Sequence, residues 1–156
     1  MQSEKQRITP AAPTAIERFS ALALRREISL GVLLSTNARD FFVMLAAAAQ
    51  SFPAGREWSE REVNDALRDF LAGAGSMLAT DHVELRRWLV DFRVLARDGY
   101  GRVYTAANPS PDLRAFIAEL SGIDLEEVAS RSRERDAAVR AARKDRWESA
   151  KRSVDD

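Results

Sequence analysis

The sequence predicts a mainly α-helical (α+β) protein built around a winged helix-turn-helix with a small β-hairpin wing. Apolar residues recur at helical spacing, each series behind a side chain that can cap a helix. Two short extended runs flank Asp98-Gly99, a pair typical of a β-hairpin. The predicted order is helix, short strand, helix, helix, hairpin, which is that of a winged helix. An N-terminal helix and a C-terminal helical extension complete the predicted fold.

Four segments follow from the breaks in this pattern. They are a disordered tail over residues 1–13, an N-terminal helix and connector over 14–36, a winged-helix domain over 37–107 and a C-terminal helical extension over 108–156. The tail is polar and contains two prolines, which favours disorder. The last boundary falls at the break Asn108-Pro109-Ser110-Pro111.

The N-terminal helix begins at Thr14, where Glu17 completes a capping box, and is predicted to run to about Glu27. Residues 28–34 are apolar and extended in character, which predicts a connector or a short strand. A strongly apolar core helix then runs from Asn37 to about Ser51.

Residues 56–58 predict a short strand, and Ser59 with Glu62 forms a second capping box that opens the next helix. After a small, glycine-containing loop over residues 72–79, a further helix starts at Thr80 or Asp81. Its predicted inward face consists of large apolar side chains at helical spacing: Leu85, Trp88, Leu89 and Phe92. Residues 94–97 and 102–106 form the two arms of the hairpin.

Beyond the prolines, residues 112–120 predict a short amphipathic helix, and Asp124 caps a long segment reaching about Arg152. Basic and acidic side chains alternate along that segment, which is typical of an exposed helix or one held by a partner. We expect that the terminal helices could support a homodimer.

The overall charge gives little support to nucleic-acid binding. Lys and Arg total 24, as do Asp and Glu, and residues 38–107 carry 9 basic against 10 acidic side chains. Nucleic-acid binders usually have a basic surplus, because neutralising phosphates supplies much of their affinity. Any such role therefore requires basic groups gathered on one face.

Composition excludes several other classes of site. The chain has no cysteine, so disulfides and cysteine-ligated metals are excluded. The N-terminus lacks an apolar signal-peptide run, and the longest apolar stretch, residues 41–49, is far shorter than the about 20 residues that cross a bilayer. We therefore expect a cytoplasmic protein without membrane segments.

No residue pattern predicts an enzyme, a cofactor or a metal site. His82 is the only histidine, and we interpret it as a residue at a helix start. The glycines of residues 73–76 lack the Gly-Lys-Ser/Thr sequence of a phosphate loop. No nucleophile lies beside a recognisable base in the sequence.

Three motifs carry a resemblance to a known family. They are FPAGREWSEREVN at residues 52–64, LRRWLVDF at 85–92, and LARD followed by GRVY at 95–98 and 101–104. Over about residues 41–104 the chain resembles the bacterial domain-of-unknown-function family 2087 (DUF2087). The resemblance implies a winged-helix-like fold and a regulatory role linked to nucleic acid.

The predicted function is that of a non-enzymatic, transcription-regulator-like protein that binds double-stranded DNA. Arginine contacts phosphate and reads guanine in the major groove. The predicted DNA-binding residues lie on the last helix before the hairpin and on the wing: Arg86, Arg87, Arg93, Arg97 and Arg102. Two alternatives stay open. Arg87 can be neutralised by Glu84 and Asp91 on its own helix, and the domain can instead be a protein–protein interaction module without nucleic acid.

Overall fold

The computed structural model describes residues 12–155. Within this range seven helices and one small antiparallel sheet are present, which confirms the predicted mainly α-helical (α+β) class. In chain order the elements are α1 (Ala15–Leu22), α2 (Leu30–Thr36), α3 (Ala38–Ala49), β1 (Glu57–Ser59), α4 (Glu60–Ala72), α5 (His82–Asp91), β2 (Leu95–Arg97), β3 (Val103–Ala106), α6 (Pro111–Leu120) and α7 (Leu125–Val154). The predicted tail lies outside the described residues except for Ala12 and Pro13, which have no regular secondary structure.

Helix α1 has the predicted capping box between Thr14 and Glu17, but it ends at Leu22 instead of about Glu27. Leu22 and Ala23 are the last buried residues of this segment, and residues 24–27 are exposed. A further turn of α1 would therefore bury no additional apolar side chain. The chain instead leaves the helix and passes through Glu27, whose backbone is left-handed (φ 52°).

The prediction of a connector or short strand at residues 28–34 is wrong for most of that stretch. Only Ile28 pairs in extended form, through an isolated parallel bridge to Leu78. Helix α2 follows, and the side chain of Ser29 caps it by accepting the N–H of Val32 (3.4 Å). Leu30 and Leu33, one turn apart, are both buried, so tertiary packing overrides the strand propensity of this segment.

Helix α3 forms the centre of the hydrophobic core. Phe41 and every residue from Val43 to Ala49 are buried, and the helix contacts α1, α2, α5 and α6. The side chain of Asn37 caps it by accepting the N–H of Asp40 (3.2 Å). The predicted core helix is confirmed, with its C-terminus within two residues of the predicted one.

The sheet has the order β1-β3-β2, so the last strand lies between the other two. Strand β3 pairs antiparallel with both neighbours, with Trp58 and Arg97 opposite Tyr104 on its two sides. Trp58 and Tyr104 are buried. The rings of Phe52 and Trp58 pack edge to face, with 5.3 Å between their centroids. The predicted hairpin and the short strand before α4 are thus confirmed and joined in one sheet.

Helices α4 and α5 pack against each other across the loop of residues 73–81. The predicted capping box of Ser59 and Glu62 opens α4, and Asp81 caps α5 by accepting the N–H of Glu84 (2.8 Å). Gly75 lies against the ring of Phe70, where a Cβ atom would collide with the ring. The absence of a side chain at Gly75 therefore lets the ring of Phe70 pack directly on the loop.

The helices near the two ends of the chain, α1, α6 and the first turns of α7, pack against the core and against each other. Helix α6 packs on α3, and the amide of Gln50 donates a hydrogen bond to the carbonyl of Ile123 (3.0 Å) beyond its end. The first turns of α7 pack on α1, where the hydroxyl of Ser132 donates to the carbonyl of Ser20 (2.8 Å). Buried residues from α1 through α7 form one continuous cluster.

Among residues 12–155, no helix combines the length and the apolar character that crossing a bilayer requires.

Candidate nucleic-acid interface

Helix α5 is fixed to the core by one side and exposed on the other. Leu85 and Leu89 are buried, and Trp88 and Phe92 are partly buried. The ring centroids of Trp88 and Phe92 lie 5.2 and 5.0 Å from the ring centroid of Phe41. The predicted inward face is therefore confirmed. Its opposite side is open to solvent, with Val83 42% exposed.

Glu84 is held by neighbours on both sides of the α5 N-terminus. Its carboxylate accepts hydrogen bonds from the hydroxyl of Thr80 (2.9 Å) and from the indole N–H of Trp88 (3.3 Å). These contacts direct the carboxylate along the helix toward the aromatic side. Arg87 consequently forms no ion pair with any of residues 12–155, and its side chain is exposed.

Arg86 has a different environment from its neighbour. Its guanidinium lies between α5 and α4, where it donates to the amide oxygen of Asn64 (2.6 Å) and contacts the carboxylate of Glu60 (3.1 Å). Only 17% of its side chain is exposed. Arg86 thus links the two helices and fixes the angle between them.

The turn of the hairpin is organised by one carboxylate. Asp98 accepts hydrogen bonds from the backbone N–H groups of Arg102 (2.8 Å) and Val103 (3.3 Å). These donors, that of Arg102 first, lower the pKa of Asp98 below its usual range, because they favour the charged carboxylate. Gly101 supplies the left-handed backbone of the turn (φ 68°), and Tyr100 is 88% exposed at its tip.

A cleft of about 270 Å³ separates the exposed side of α5 from the hairpin. Its lining residues come from α5 and from the two paired strands: Val83, Arg86, Arg87, Val90, Asp91, Arg97 and Tyr104. Three of the five predicted arginines therefore meet at one place. The hydroxyl of Tyr104 is buried at its floor and makes no hydrogen bond to any described residue.

The other two predicted arginines are not among the residues that line the cleft. Arg93 follows the end of α5, and Arg102 immediately precedes β3; both are exposed. Across the described residues, neither forms an ion pair, and the same holds for Arg97. Between residues 81 and 102 the chain carries five basic and four acidic side chains, so this region has a charge of +1.

Sequence reasoning missed two features of this region. Tyr100 was not among the predicted contact residues, although its place in the Asp98–Gly101 turn is a signal that it lies at the wing tip. The partners of Arg86 were also missed, since Glu60 and Asn64 lie more than twenty residues away in sequence. No local pattern links those residues.

Within the described ranges, no three His, Cys, Asp or Glu side chains come together so that they could hold a metal ion. His82 lies at the start of α5, and its ring nitrogen is 3.4 Å from the guanidinium of Arg68.

Comparison with known families bears on residues 32–106. These residues match the family model described as "Uncharacterized protein conserved in bacteria (DUF2087)". This part of the chain is similar to that family. The match begins within α2 and ends at the last residue of β3, so the matched residues include α3 to α5 and the entire sheet. No curated protein and no solved structure matches the chain.

Proposed function

We propose that this protein is a non-enzymatic, winged-helix DNA-binding protein of the transcription-regulator type. Helix α5 enters the major groove, and the β2–β3 hairpin is the wing that contacts the neighbouring backbone. The observation that carries the proposal is a set of exposed arginines on α5, just beyond its C-terminus and on the hairpin, none of which forms an ion pair with the described residues: Arg87, Arg93, Arg97 and Arg102.

The element order supports this interpretation. A helix-turn-helix places its second helix in the major groove while the first crosses the backbone. Here α4 and α5 are that pair, and the hairpin follows α5 directly. The contacts of Arg86 with Asn64 and Glu60 hold α4 and α5 at a fixed angle. Arg86 therefore positions α5, and the proposal assigns contacts with DNA to its exposed neighbours.

The backbone of Arg93 supports a functional role for its side chain. The N–H of Val94 donates to the carbonyl of Leu89 (2.8 Å) and that of Arg93 to Val90 (3.1 Å), which is the Schellman arrangement at a helix C-terminus. Arg93 occupies the left-handed position of this motif (φ 61°), where glycine is usual. A non-glycine residue there costs about 1–2 kcal/mol, and strain of this kind clusters at functional sites.

A specific observation also favours a second candidate function, a protein–protein interaction module. The carboxylate of Asp91 lies in the cleft, and Val83 and Tyr100 are exposed apolar and aromatic side chains beside the arginines. A mixed surface of this kind suits a protein partner. No cofactor enters either proposal.

Fluorescence anisotropy of labelled duplexes about 30 base pairs long, titrated at several salt concentrations, tests the DNA proposal. We expect binding that weakens steeply with salt. In the variant Arg87→Ala/Arg97→Ala/Arg102→Ala, affinity should fall at least about 100-fold at low salt. The logarithm of the association constant should also fall less steeply with the logarithm of the salt concentration. The slope should change by about 0.9 for each phosphate that the variant no longer neutralises.

The matched control removes three exposed arginines from outside α4, α5 and the hairpin, Arg25→Ala/Arg39→Ala/Arg114→Ala, and so changes the net charge equally. We expect its affinity to stay within about twofold of the unmodified protein, because its substitutions lie outside the cleft. Equal loss in both variants would show attraction by net charge alone and would contradict a site at α5 and the wing. Absence of binding at low salt would favour the interaction module.

A further inference from the structure

Helix α7 extends well past the part of the protein that it packs against. Its first turns are anchored by the buried Leu125 and Ala129 and by Arg133, whose guanidinium donates to the carbonyl of Ala23 (3.0 Å). From Ala137 to Val154 every residue except Glu148 is exposed. At about 1.5 Å per residue, this exposed part of α7 is roughly 27 Å long. We call residues 135–154 the distal half of α7.

The distal half of α7 carries most of the uncompensated positive charge of the chain. It has seven basic and three acidic side chains, a net charge of +4. Because the whole chain is neutral, the remaining residues together carry −4. The charge balance that weakens the case for nucleic-acid binding is therefore an average over two oppositely charged parts.

The charges of the distal half are also segregated by face. At about 100° per residue, six of its seven basic side chains fall within about half of the helix circumference. This basic face consists of Arg135, Arg140, Arg143, Lys144, Arg146 and Lys151. Asp145 and Glu148 lie on the opposite side. The third acidic residue, Asp136, lies within the basic face, where it forms an ion pair with Arg140.

Apolar and aromatic groups lie on the basic face as well. Val139, Trp147 and Val154 are 47%, 63% and 83% exposed and project from the same half of the helix. The ammonium group of Lys151 lies 5.1 Å from the centroid of the Trp147 ring. Tryptophan is enriched at interfaces, where its large ring buries a wide apolar area.

We infer that the basic face of α7 is a second DNA-binding surface, which contacts the phosphate backbone of a duplex. DNA carries one negative charge per about 1.7 Å of its axis, and a straight helix with arginines along one side matches such a linear array. Four of the six basic residues are arginines, whose planar guanidinium groups bind phosphate in bidentate fashion. A second α7 is a poorer occupant, since pairing two helices of charge +4 brings like charges together.

This inference rests on the proposed function for its ligand and adds a contact surface outside the residues that match the DUF2087 family. The test uses the full chain, the same labelled duplexes and the variant Arg143→Gln/Arg146→Gln/Lys151→Gln, which removes three charges from the basic face. We expect affinity to fall at least about tenfold at about 0.1 M salt and the salt slope to become shallower by about 2 to 3.

The matched control is Ala138→Glu/Ala141→Glu/Ser149→Glu. It lowers the net charge by the same three units on the opposite face of the distal half. Glutamate and glutamine are both good helix formers, so α7 is retained in both variants. We expect the control to lose less than about threefold in affinity. Equal loss in the two variants would overturn the assignment to the basic face, as would unchanged binding in the glutamine variant.

The outcomes separate this inference from the proposed function. If Arg87→Ala/Arg97→Ala/Arg102→Ala lowers the affinity as expected and the glutamine variant leaves it unchanged, the cleft binds DNA and the inference about α7 is wrong. If only the glutamine variant loses binding, α7 binds DNA and the proposed role of α5 and the wing is wrong. If no duplex binds even at low salt, the inference is overturned. A light-scattering mass of twice the chain that the glutamine variant reduces to that of one chain would then assign this surface to a second copy.

Discussion

At the scale of single residues, Asp98 controls the shape of the proposed wing. Its carboxylate accepts the N–H groups of Arg102 and Val103 and so closes the turn that displays Tyr100. Hydrogen bonds to a charged acceptor are stronger than those to a neutral one. The turn is therefore most stable while Asp98 is ionised.

The lowered pKa of Asp98 predicts how the turn responds to acid. A carboxyl whose pKa is lower in the folded state adds stability above its unfolded pKa and loses it as pH falls through the folded value. We expect the Arg102 amide signal in NMR spectra to titrate with a midpoint below the ordinary value of about 3.9. In Asp98→Asn this titration should be absent. A midpoint at or above the ordinary value would contradict the assigned hydrogen bonds.

Sequence reasoning succeeded at residues whose partners are close in the chain. The capping pairs Thr14–Glu17 and Ser59–Glu62 lie three residues apart and were found as patterns. Arg86 shows the limit of this approach. Its contacts with Glu60 and Asn64 depend on how α4 and α5 pack, which no local spacing reveals.

At the scale of elements, α2 shows why the first part of the chain was harder to interpret than the rest. Its seven residues contain too few turns to produce a clear helical period, and Ile28 before it and Val32 within it favour a strand. The helix forms because Leu30 and Leu33 are buried together and because the side chain of Ser29 caps the N-terminus of α2. By contrast, α3 to α5 and the hairpin carry strong periodicity or turn signals, and all were predicted.

Helix α7 combines an anchored part and an exposed part, and substitutions should distinguish them. Leu125 is 3% exposed, so Leu125→Ala is expected to lower the free energy of unfolding by about 2–5 kcal/mol. Trp147 is larger but 63% exposed, and Trp147→Ala is expected to change that free energy by less than about 0.5 kcal/mol. Urea denaturation followed by circular dichroism measures both. A decrease above about 1 kcal/mol for Trp147→Ala would mean that the distal half packs against something in solution.

At the scale of the whole molecule, the N-terminal and C-terminal segments share one hydrophobic core with residues 37–107, which we call the central domain. Phe19 of α1 is fully buried in the same cluster as Leu85 and Tyr104. The sequence alone suggested separate segments with boundaries at residues 36 and 107. Those boundaries remain predictions, and the shared core makes them testable by unfolding.

We expect Phe19→Ala to lower the free energy of unfolding by about 3–5 kcal/mol. The decrease should appear in the fluorescence of Trp58 and Trp88, which lie in the central domain and are at least partly buried. Fluorescence and circular dichroism should give coincident transitions, as a single cooperative unit requires. Tryptophan fluorescence that unfolds as before, with only the helical signal changed, would instead show that residues 37–107 fold independently.

The bridge between Ile28 and Leu78 lies where three parts of the chain meet. The N–H of Ile28 donates to the carbonyl of Met77 (2.9 Å), and that of Ala79 donates to the carbonyl of Ile28 (2.8 Å). The loop that leads into α5 is thereby attached to the segment after α1, and Arg133 of α7 contacts both by donating to Ala23 and Ser76. These hydrogen bonds attach the anchored turns of α7 to the loop that leads into α5. A displacement of those turns would therefore break hydrogen bonds to that loop.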